Sequence, residues 1–426
     1  MKVNPVRKSK GLSPTLQRRG FSNRVNSHSQ KIKEVLTRGV EKIYPDFQSL
    51  EKRLLSGEKI KLYCGYDPSS PVLHIGHMVT LKKLAQFQSL GHEVIMLIGD
   101  FTGMIGDPTN KTAARKKMNR QEVLANSKNY KKQASKFLKF TGINPAKILY
   151  NSQWLNKLTF KDLIGLASNF TVQQMIIRDM FRERMRKKKP IFLHEFLYPL
   201  AQAYDGLAMN VDLEIGGKDQ TFNMLCGRSL MKSLKNKEKF VLATKLLTDP
   251  FGKKMGKTEG NTINLDENPK EMFGKIMAWP DNLIIPGFEL CTNLKTEEIK
   301  KVSEHLKKEK INPRDVKARL AREIVGVCCS FKAAEKAEEE FDRVFKEKKL
   351  PLKVPETKIQ EKNLSILDLL VKTKLTNSKS EAKRIILQKG LKIDGQIENN
   401  WQKIIQIKKG MIIKIGKRKF AKISKF

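Results

Sequence analysis

Two short apolar runs, Lys61–Tyr66 and Glu93–Ile98, read as strands, and Gly76 to Leu90 between them reads as a helix with Val79, Leu84 and Phe87 among its apolar positions. A strand–helix–strand unit is the signature of a parallel sheet with crossover helices. Short apolar runs continue to alternate with helical stretches from Ile32 to about Asn264, and residues 151–200 read as mostly helical, with a basic segment Arg182–Lys189 that Pro190 ends.

The pattern changes further along. From Asn268 to Lys349 strand signals are weak, and Thr296–Lys308, Arg314–Cys329 and Phe331–Lys346 are candidate helices. Residues 350–362 read as a linker, because Pro351 and Pro355 disfavour helix. The block Asn363 to Phe426 opens with two short helices and ends in short strands, Leu391–Ile393 and Met411–Ile415. With 426 residues the chain has room for roughly two to four domains. No internal repeat is visible.

Charge narrows the partners. Lys and Arg number 84 against 44 Asp and Glu, a net +40, which is excessive for an enzyme of small neutral metabolites and points to a polyanion, nucleic acid before membrane. The block 363–426 alone has 16 basic and 4 acidic residues, a net +12. No stretch approaches the ~18 consecutive apolar residues of a membrane span, and no apolar segment near the N-terminus marks a secretory signal. Cys64, Cys226, Cys291, Cys328 and Cys329 form neither a disulfide framework nor a CxxC knuckle, which argues for a reducing compartment and for thiols that serve as small core residues. Residues 1–31 are expected to be a basic disordered tail: the first 30 contain no acid and seven Lys or Arg. An organellar transit peptide is the alternative reading of the same composition.

Four strings carry chemistry. In Tyr63-Cys-Gly-Tyr-Asp-Pro-Ser-Ser-Pro-Val-Leu-His-Ile-Gly-His77, two of the six histidines follow a strand and a Pro-bearing loop and stand at the mouth of a helix. A helix N-terminus has free N–H groups and a partial positive charge, so it attracts phosphate, and the spacing of His74 and His77 puts both rings on one side. Gly76 leaves room for a base or ribose. A pair of surface or capping histidines is the plainer reading, and a zinc pair lacks the HExxH carboxylate. The string Asp249-Pro-Phe-Gly-Lys-Lys-Met-Gly-Lys-Thr258 is a glycine-punctuated loop whose Lys254, Lys257 and Thr258 suit a triphosphate; from Gly252 it is one residue short of a Walker A loop. Tyr198, Gln202 and Asp205 line one helix face, as either a solvated stripe or a pocket wall. Glu214-Ile-Gly-Gly-Lys-Asp-Gln220 is a Gly-Gly loop with a carboxylate for ribose hydroxyls, and Asp107, Lys111 and Arg115 complete the set.

Together these strings resemble the class I aminoacyl-tRNA synthetases, specifically the bacterial-type tyrosyl-tRNA synthetases, over residues 32–426. His74-Ile-Gly-His77 matches the HIGH signature, and Lys254-Met-Gly-Lys-Thr258 is similar to KMSKS with Gly and Thr for the two serines. Other departures are Ser69 where the family often has Thr, Thr221 where many members have an aromatic residue, and the tail, which has no matching counterpart. The resemblance implies a Rossmann-like α/β parallel-sheet catalytic domain with a helical insertion (32–267), a helical anticodon-recognition domain (268–349), the linker (350–362) and a small α+β αL-type RNA-binding module (363–426). It implies that His74, His77, Lys111, Arg115, Lys254, Lys257 and Thr258 serve the phosphates, and that Gly65, Asp67, Ser69, Gly76, Thr80, Gly217, Asp219 and Lys257 bind ATP. For tyrosine it implies Asp107, Tyr198 and Gln202 at the ammonium, Tyr63 and Asp205 at the phenol, and Gln220 nearby. ATP is then a substrate accompanied by Mg2+, with no protein-bound metal; tRNA(Tyr) and L-tyrosine are the other partners, and a cytoplasmic homodimer formed through 151–200, without membrane attachment, is expected.

Three rivals differ on named features. A tryptophanyl enzyme has no use for the Tyr63/Asp205 pair, because indole has no phenol oxygen. A small nucleotidyltransferase needs neither the helical domain nor the basic module. A non-catalytic RNA-binding factor on the same scaffold is favoured by loss of a signature lysine or histidine, and none is missing.

Overall fold

In the computed structural model, which describes residues 28–109, 118–248, 262–345, 354–416 and 419–425, the strand–helix–strand unit is the centre of a six-stranded sheet. The strands are β1 (Val40–Tyr44), β2 (Lys61–Tyr66), β3 (Glu93–Ile98), β4 (Lys147–Tyr150), β5 (Leu213–Gly217) and β6 (Phe240–Thr244), in the order β1-β6-β5-β2-β3-β4. Strands β2 to β6 pair parallel, and β1 is antiparallel to β6 at one edge. Val94 to Ile98 are all at most 2% exposed, as expected of a central parallel strand covered on both faces. From β2, the chain adds β3 and β4 on one side and β5 and β6 on the other. The order therefore reverses between β2 and β5, and in such sheets the crevice at the strand C-termini beside the switch point takes the ligand.

The crossover helix runs Ile75–Ser89 and buries nine residues, so it is embedded rather than laid on a surface. Helices Ser152–Leu155, Phe160–Ala167, Val172–Ile176 and Asp179–Arg186 account for the expected helicity of 151–200; Thr159 with Asp162 and Thr171 with Gln174 form capping boxes that start two of them. The basic segment before Pro190 is not wholly a solvated face. Arg184 is 1% exposed and holds Glu195 by two hydrogen bonds of 2.6 and 2.8 Å, which ties its helix to His194–Met209. Beyond the sheet come Pro269–Met277, Ile284–Cys291, Thr296–Lys307 and Pro313–Cys328, which bury Phe273, Phe288, Leu320 and Ile324.

By its internal contacts the chain divides into two units, Met1–Phe331 and Lys332–Phe426. In the second, β7 (Glu356–Lys358), β9 (Leu391–Ile393), β10 (Gln396–Glu398), β12 (Ile412–Ile415) and β13 (Lys419–Lys425) form a sheet in the order β10-β9-β12-β13-β7, and β8 (Asn363–Ser365) pairs with β11 (Ile404–Gln406). Helices Ile366–Lys372 and Lys379–Leu387 contribute Leu369, Leu370 and Ile386 to a core shared with Leu391, Ile413 and Ile423. One expectation is corrected here. Residues 356–358, assigned to a linker, are an edge strand parallel to β13, and Ile359 is buried in the same core. Pro355 lies just outside the strand, where its missing N–H costs no ladder bond, and its carbonyl accepts from Lys422 N.

Candidate active site

His74 is the N-cap of helix Ile75–Ser89: its Nδ1 accepts from Gly76 N at 3.1 Å, and the Nδ1 of His77 accepts from His74 N at 3.1 Å. The capping reading of the two histidines is what this geometry shows. An imidazole whose Nδ1 accepts a backbone N–H carries its proton, when neutral, on Nε2, so each ring keeps an outward donor. The rings lie 3.9 Å apart, and burial, with His74 alongside, holds His77 well below the usual histidine value. His77 is thus a neutral hydrogen-bond donor at a helix N-terminus, suited to phosphate oxygens.

Every expected site residue among the described residues lines one cavity of about 1020 Å³ at the C-terminal ends of β2, β3, β5 and β6. These are Tyr63, Gly65, Asp67, Ser69, His74, Gly76, His77, Thr80, Asp107, Tyr198, Gln202, Asp205, Gly217, Asp219 and Gln220. Lys111, Arg115, Lys254, Lys257 and Thr258 lie outside the described residues.

Hydrogen bonds organise the walls. Asp205 is 3% exposed; its carboxylate accepts from Trp154 Nε1 at 2.7 Å and Asn151 Nδ2 at 3.3 Å. Burial, together with Glu214 and Asp67, pushes its pKa well above the usual carboxylate value, against the lowering by those two donors. Asn151 also donates to Thr102 Oγ1 at 3.0 Å, Thr102 donates to Asp67 at 2.7 Å, and Tyr198 donates to the other Asp67 oxygen at 2.7 Å. Asp107 accepts from Thr109 N and Oγ1 with one oxygen and from Gln220 Nε2, at 2.7 Å, with the other. Thr80 donates to His77 O at 3.1 Å and lies 3.0 Å from the Tyr66 hydroxyl, so its side chain is engaged by its own surroundings. The Tyr63 hydroxyl is the outlier: Tyr63 is 1% exposed, and this oxygen has no hydrogen-bond partner among the described residues. Burial first, then Glu214 and Asp205, keeps its proton on.

Asn151, Thr102, Trp154 and Glu214 were not singled out as site residues from the sequence. Glu214 stood in the Gly-Gly string without a role; Asn151, Thr102 and Trp154 sit in segments with no motif around them.

A parallel sheet with its cavity at the switch point, a histidine-capped helix facing it and a Gly-Gly strand end opposite define a class I aminoacyl-tRNA synthetase. Comparison narrows this. The family described as tRNA synthetases class I (W and Y) matches residues 55–346, and the tyrosine–tRNA ligase SYY-like C-terminal domain matches 347–423. The chain is 42% identical to the tyrosine–tRNA ligase of Moorella thermoacetica over 92% of this chain and 95% of that one. It is 41% identical to the Thermotoga maritima ligase over 92% and 96%. Among solved structures, a C-terminally truncated mitochondrial tyrosyl-tRNA synthetase of Coccidioides posadasii shares the fold at TM-score 0.59 and 23% identity, over 76% of this chain and 98% of that one. The Archaeoglobus fulgidus tyrosyl-tRNA synthetase complexed with L-tyrosine does so at 0.57 and 22%, over 73% and 99%. The chain belongs to the class I synthetases for tryptophan and tyrosine, and the relatives it matches along nearly their whole length are tyrosine–tRNA ligases.

Proposed function

We propose that the cavity holds tyrosine with its phenol between Tyr63 and Asp205, its ammonium at Asp107, Tyr198 and Gln202, and ATP along the His74–His77 helix mouth and the Gly217–Asp219 loop. The observation that carries this reading is the Tyr63 hydroxyl, buried in the cavity that Asp205 also lines, with no hydrogen bond of good geometry among the described residues although Glu214 acts on it. A buried polar group left unpaired is costly, and a substrate hydroxyl supplies the missing partner. Indole cannot.

The tyrosine carboxylate attacks the α-phosphate in line and pyrophosphate leaves; the proton inventory needs no general base, because the nucleophile is already an anion. Catalysis then rests on positioning and on donors aimed at the phosphates. His77 contributes a neutral donor; Lys111, Arg115, Lys254, Lys257 and Thr258 supply the rest in this reading, and Gly217 and Asp219 hold the ribose. Mg2+ enters with the triphosphate as part of the substrate. A hydroxyl of the tRNA's terminal ribose then attacks the adenylate. Residues 268–349 and the module beginning near β7 are assigned to tRNA(Tyr). Exposed Phe160, Val172 and Leu193, at 79, 67 and 79%, make the 151–200 region an apolar face that suits a homodimer. A cytoplasmic site of action, or an organellar one where residues 1–31 are a transit peptide, fits the five free cysteines. Among the described residues no helix is long and apolar enough to cross a membrane.

The test is exchange of labelled pyrophosphate into ATP. Exchange that depends on tyrosine and is lost in Asp205→Ala supports the assignment; equal dependence on tryptophan overturns it.

A further inference from the structure

Glu214 and Lys239 form an ion pair at 2% and 0% exposure, Glu214 in the cavity wall and Lys239 outside the lining. Glu214 is on β5, opposite Tyr63 in the β2 register, and Lys239 immediately precedes β6. The fold makes room for the lysine: a Cβ on Gly227 would collide with Lys239 Nζ, and one on Gly206 would stand 3.2 Å from it. Burying two charges costs desolvation that their attraction barely offsets, so packing alone is a poor reason for this pair.

The remaining contact supplies a reason. Gln202 Nε2 donates to Glu214 Oε1 at 2.9 Å, while the other carboxylate oxygen takes Lys239. A primary amide can offer either a donor or an acceptor on a given side; a carboxylate paired with an ammonium offers acceptors only. Gln202 must therefore turn its NH2 toward Glu214, and its carbonyl oxygen is what it has left to offer the cavity it lines. A cationic ligand group needs that polarity.

We propose that Glu214, anchored by Lys239, is a positioning residue that locks the Gln202 amide with its carbonyl oxygen toward the substrate ammonium. This rests on the assignment of Gln202 to the ammonium. Lys239 is not among the residues that line the cavity; Glu214 borders it, and in this proposal acts on the ammonium through Gln202. Glu214 also stands beside Tyr63 in the sheet register, so the proposal requires the ammonium end to feel the loss of the pair more than the phenol end does.

Three probes separate the ends: tyrosine, tyramine (ammonium, no carboxylate) and 3-(4-hydroxyphenyl)propionate (carboxylate, no ammonium). Their binding to the full chain is measured by calorimetry, with competition for the weaker ligands. Glu214→Gln keeps the volume but lets both amides turn, and should weaken tyrosine and tyramine about tenfold and the propionate by much less. Glu214→Asp keeps the charge and withdraws the acceptor from Gln202; it should show the same selective loss and stands in if Glu214→Gln does not fold. In the Gln202→Ala background, Glu214→Gln should add no further loss for either ammonium ligand. Equal weakening of all three probes, or of none, by both Glu214 variants makes the pair structural and overturns the proposal. If Gln202→Ala weakens the ammonium probes and the Glu214 variants do not, the proposal alone falls; if Gln202→Ala spares them, the assignment of Gln202 falls with it.

Discussion

Tyr198 donates its hydroxyl proton to Asp67 across 2.7 Å, joining the middle of helix His194–Met209 to the end of β2. The second Asp67 oxygen is taken by Thr102, which Asn151 links in turn to Asp205. One chain of hydrogen bonds thus runs from the phenol end of the proposed tyrosine site to a residue on the ATP side.

Removing that donor should disturb both substrates. Tyr198→Phe leaves Asp67 short of a charge-assisted bond worth about 1.5–3 kcal/mol, and the carboxylate is then free to swing. The expected outcome is a rise in the tyrosine KM accompanied by a several-fold fall in kcat/KM for ATP, read from pyrophosphate exchange with each substrate varied. An ATP term that stays fixed while tyrosine binding weakens would show that Asp67 is held without Tyr198.

Acid should destabilise the catalytic unit before its carboxylates titrate. His77 is held well below the ordinary histidine value, and burial lowers His92 to about 4, with its Nδ1 accepting from Ile60 N. Both folded values lie below the unfolded one, so the unfolded chain takes up protons first as pH falls. The stability is therefore fully present above about pH 6.5 and is lost toward the folded pKa. Unfolding free energies from urea titrations should drop between pH 6.5 and 4.5 with a slope of up to about 1.4 kcal/mol per pH unit for each such histidine. His92→Gln should flatten that slope; an unchanged slope would place the effect elsewhere.

The two reactions should separate on truncation. Removing residues 347–426 takes away a sheet and the +12 block, leaving the adenylation cavity with all its described lining residues. Tyrosine-dependent pyrophosphate exchange should persist within a few-fold, while aminoacylation of tRNA falls at least tenfold and what remains depends less steeply on salt. Loss of exchange as well would make the C-terminal unit part of the catalytic fold.

Legibility followed locality. His74, Gly76 and His77 stand within one helical turn, so a helix mouth carrying two imidazoles was readable from the string itself, and Tyr198, Gln202 and Asp205 share a face by simple helical spacing. The strand–helix–strand unit was readable because β3 is an uninterrupted apolar run. Three things were not. Strand β7 lies next to Pro355 and pairs with β13 more than sixty residues away, so no local pattern marks it. Edge strand β1, Val40-Glu-Lys-Ile-Tyr44, sets two adjacent charges between apolar residues and so lacks strand alternation, and its antiparallel direction follows from pairing with β6, about two hundred residues on. The Glu214–Lys239–Gln202 cluster joins residues from a helix and two strand segments, and its two charges look in sequence like any surface pair. Only the fold reveals that they are buried.

The central claim is that Tyr63 and Asp205 read the phenol hydroxyl. Tyr63 brings an unpartnered buried hydroxyl and Asp205 a buried carboxylate steadied by Trp154 and Asn151. A pocket built for a hydroxyl penalises an analogue without one, because its own polar groups are then unpaired. The decisive measurement is the ratio of kcat/KM for tyrosine to that for phenylalanine in pyrophosphate exchange, for the parent, Tyr63→Phe and Asp205→Asn. The ratio should fall in Tyr63→Phe by the equivalent of about 0.5–1.5 kcal/mol, and further in Asp205→Asn, where a carboxyl oxygen is replaced by a donor NH2. Both variants keeping the parent ratio would contradict the account, since the phenol would then be recognised by other groups.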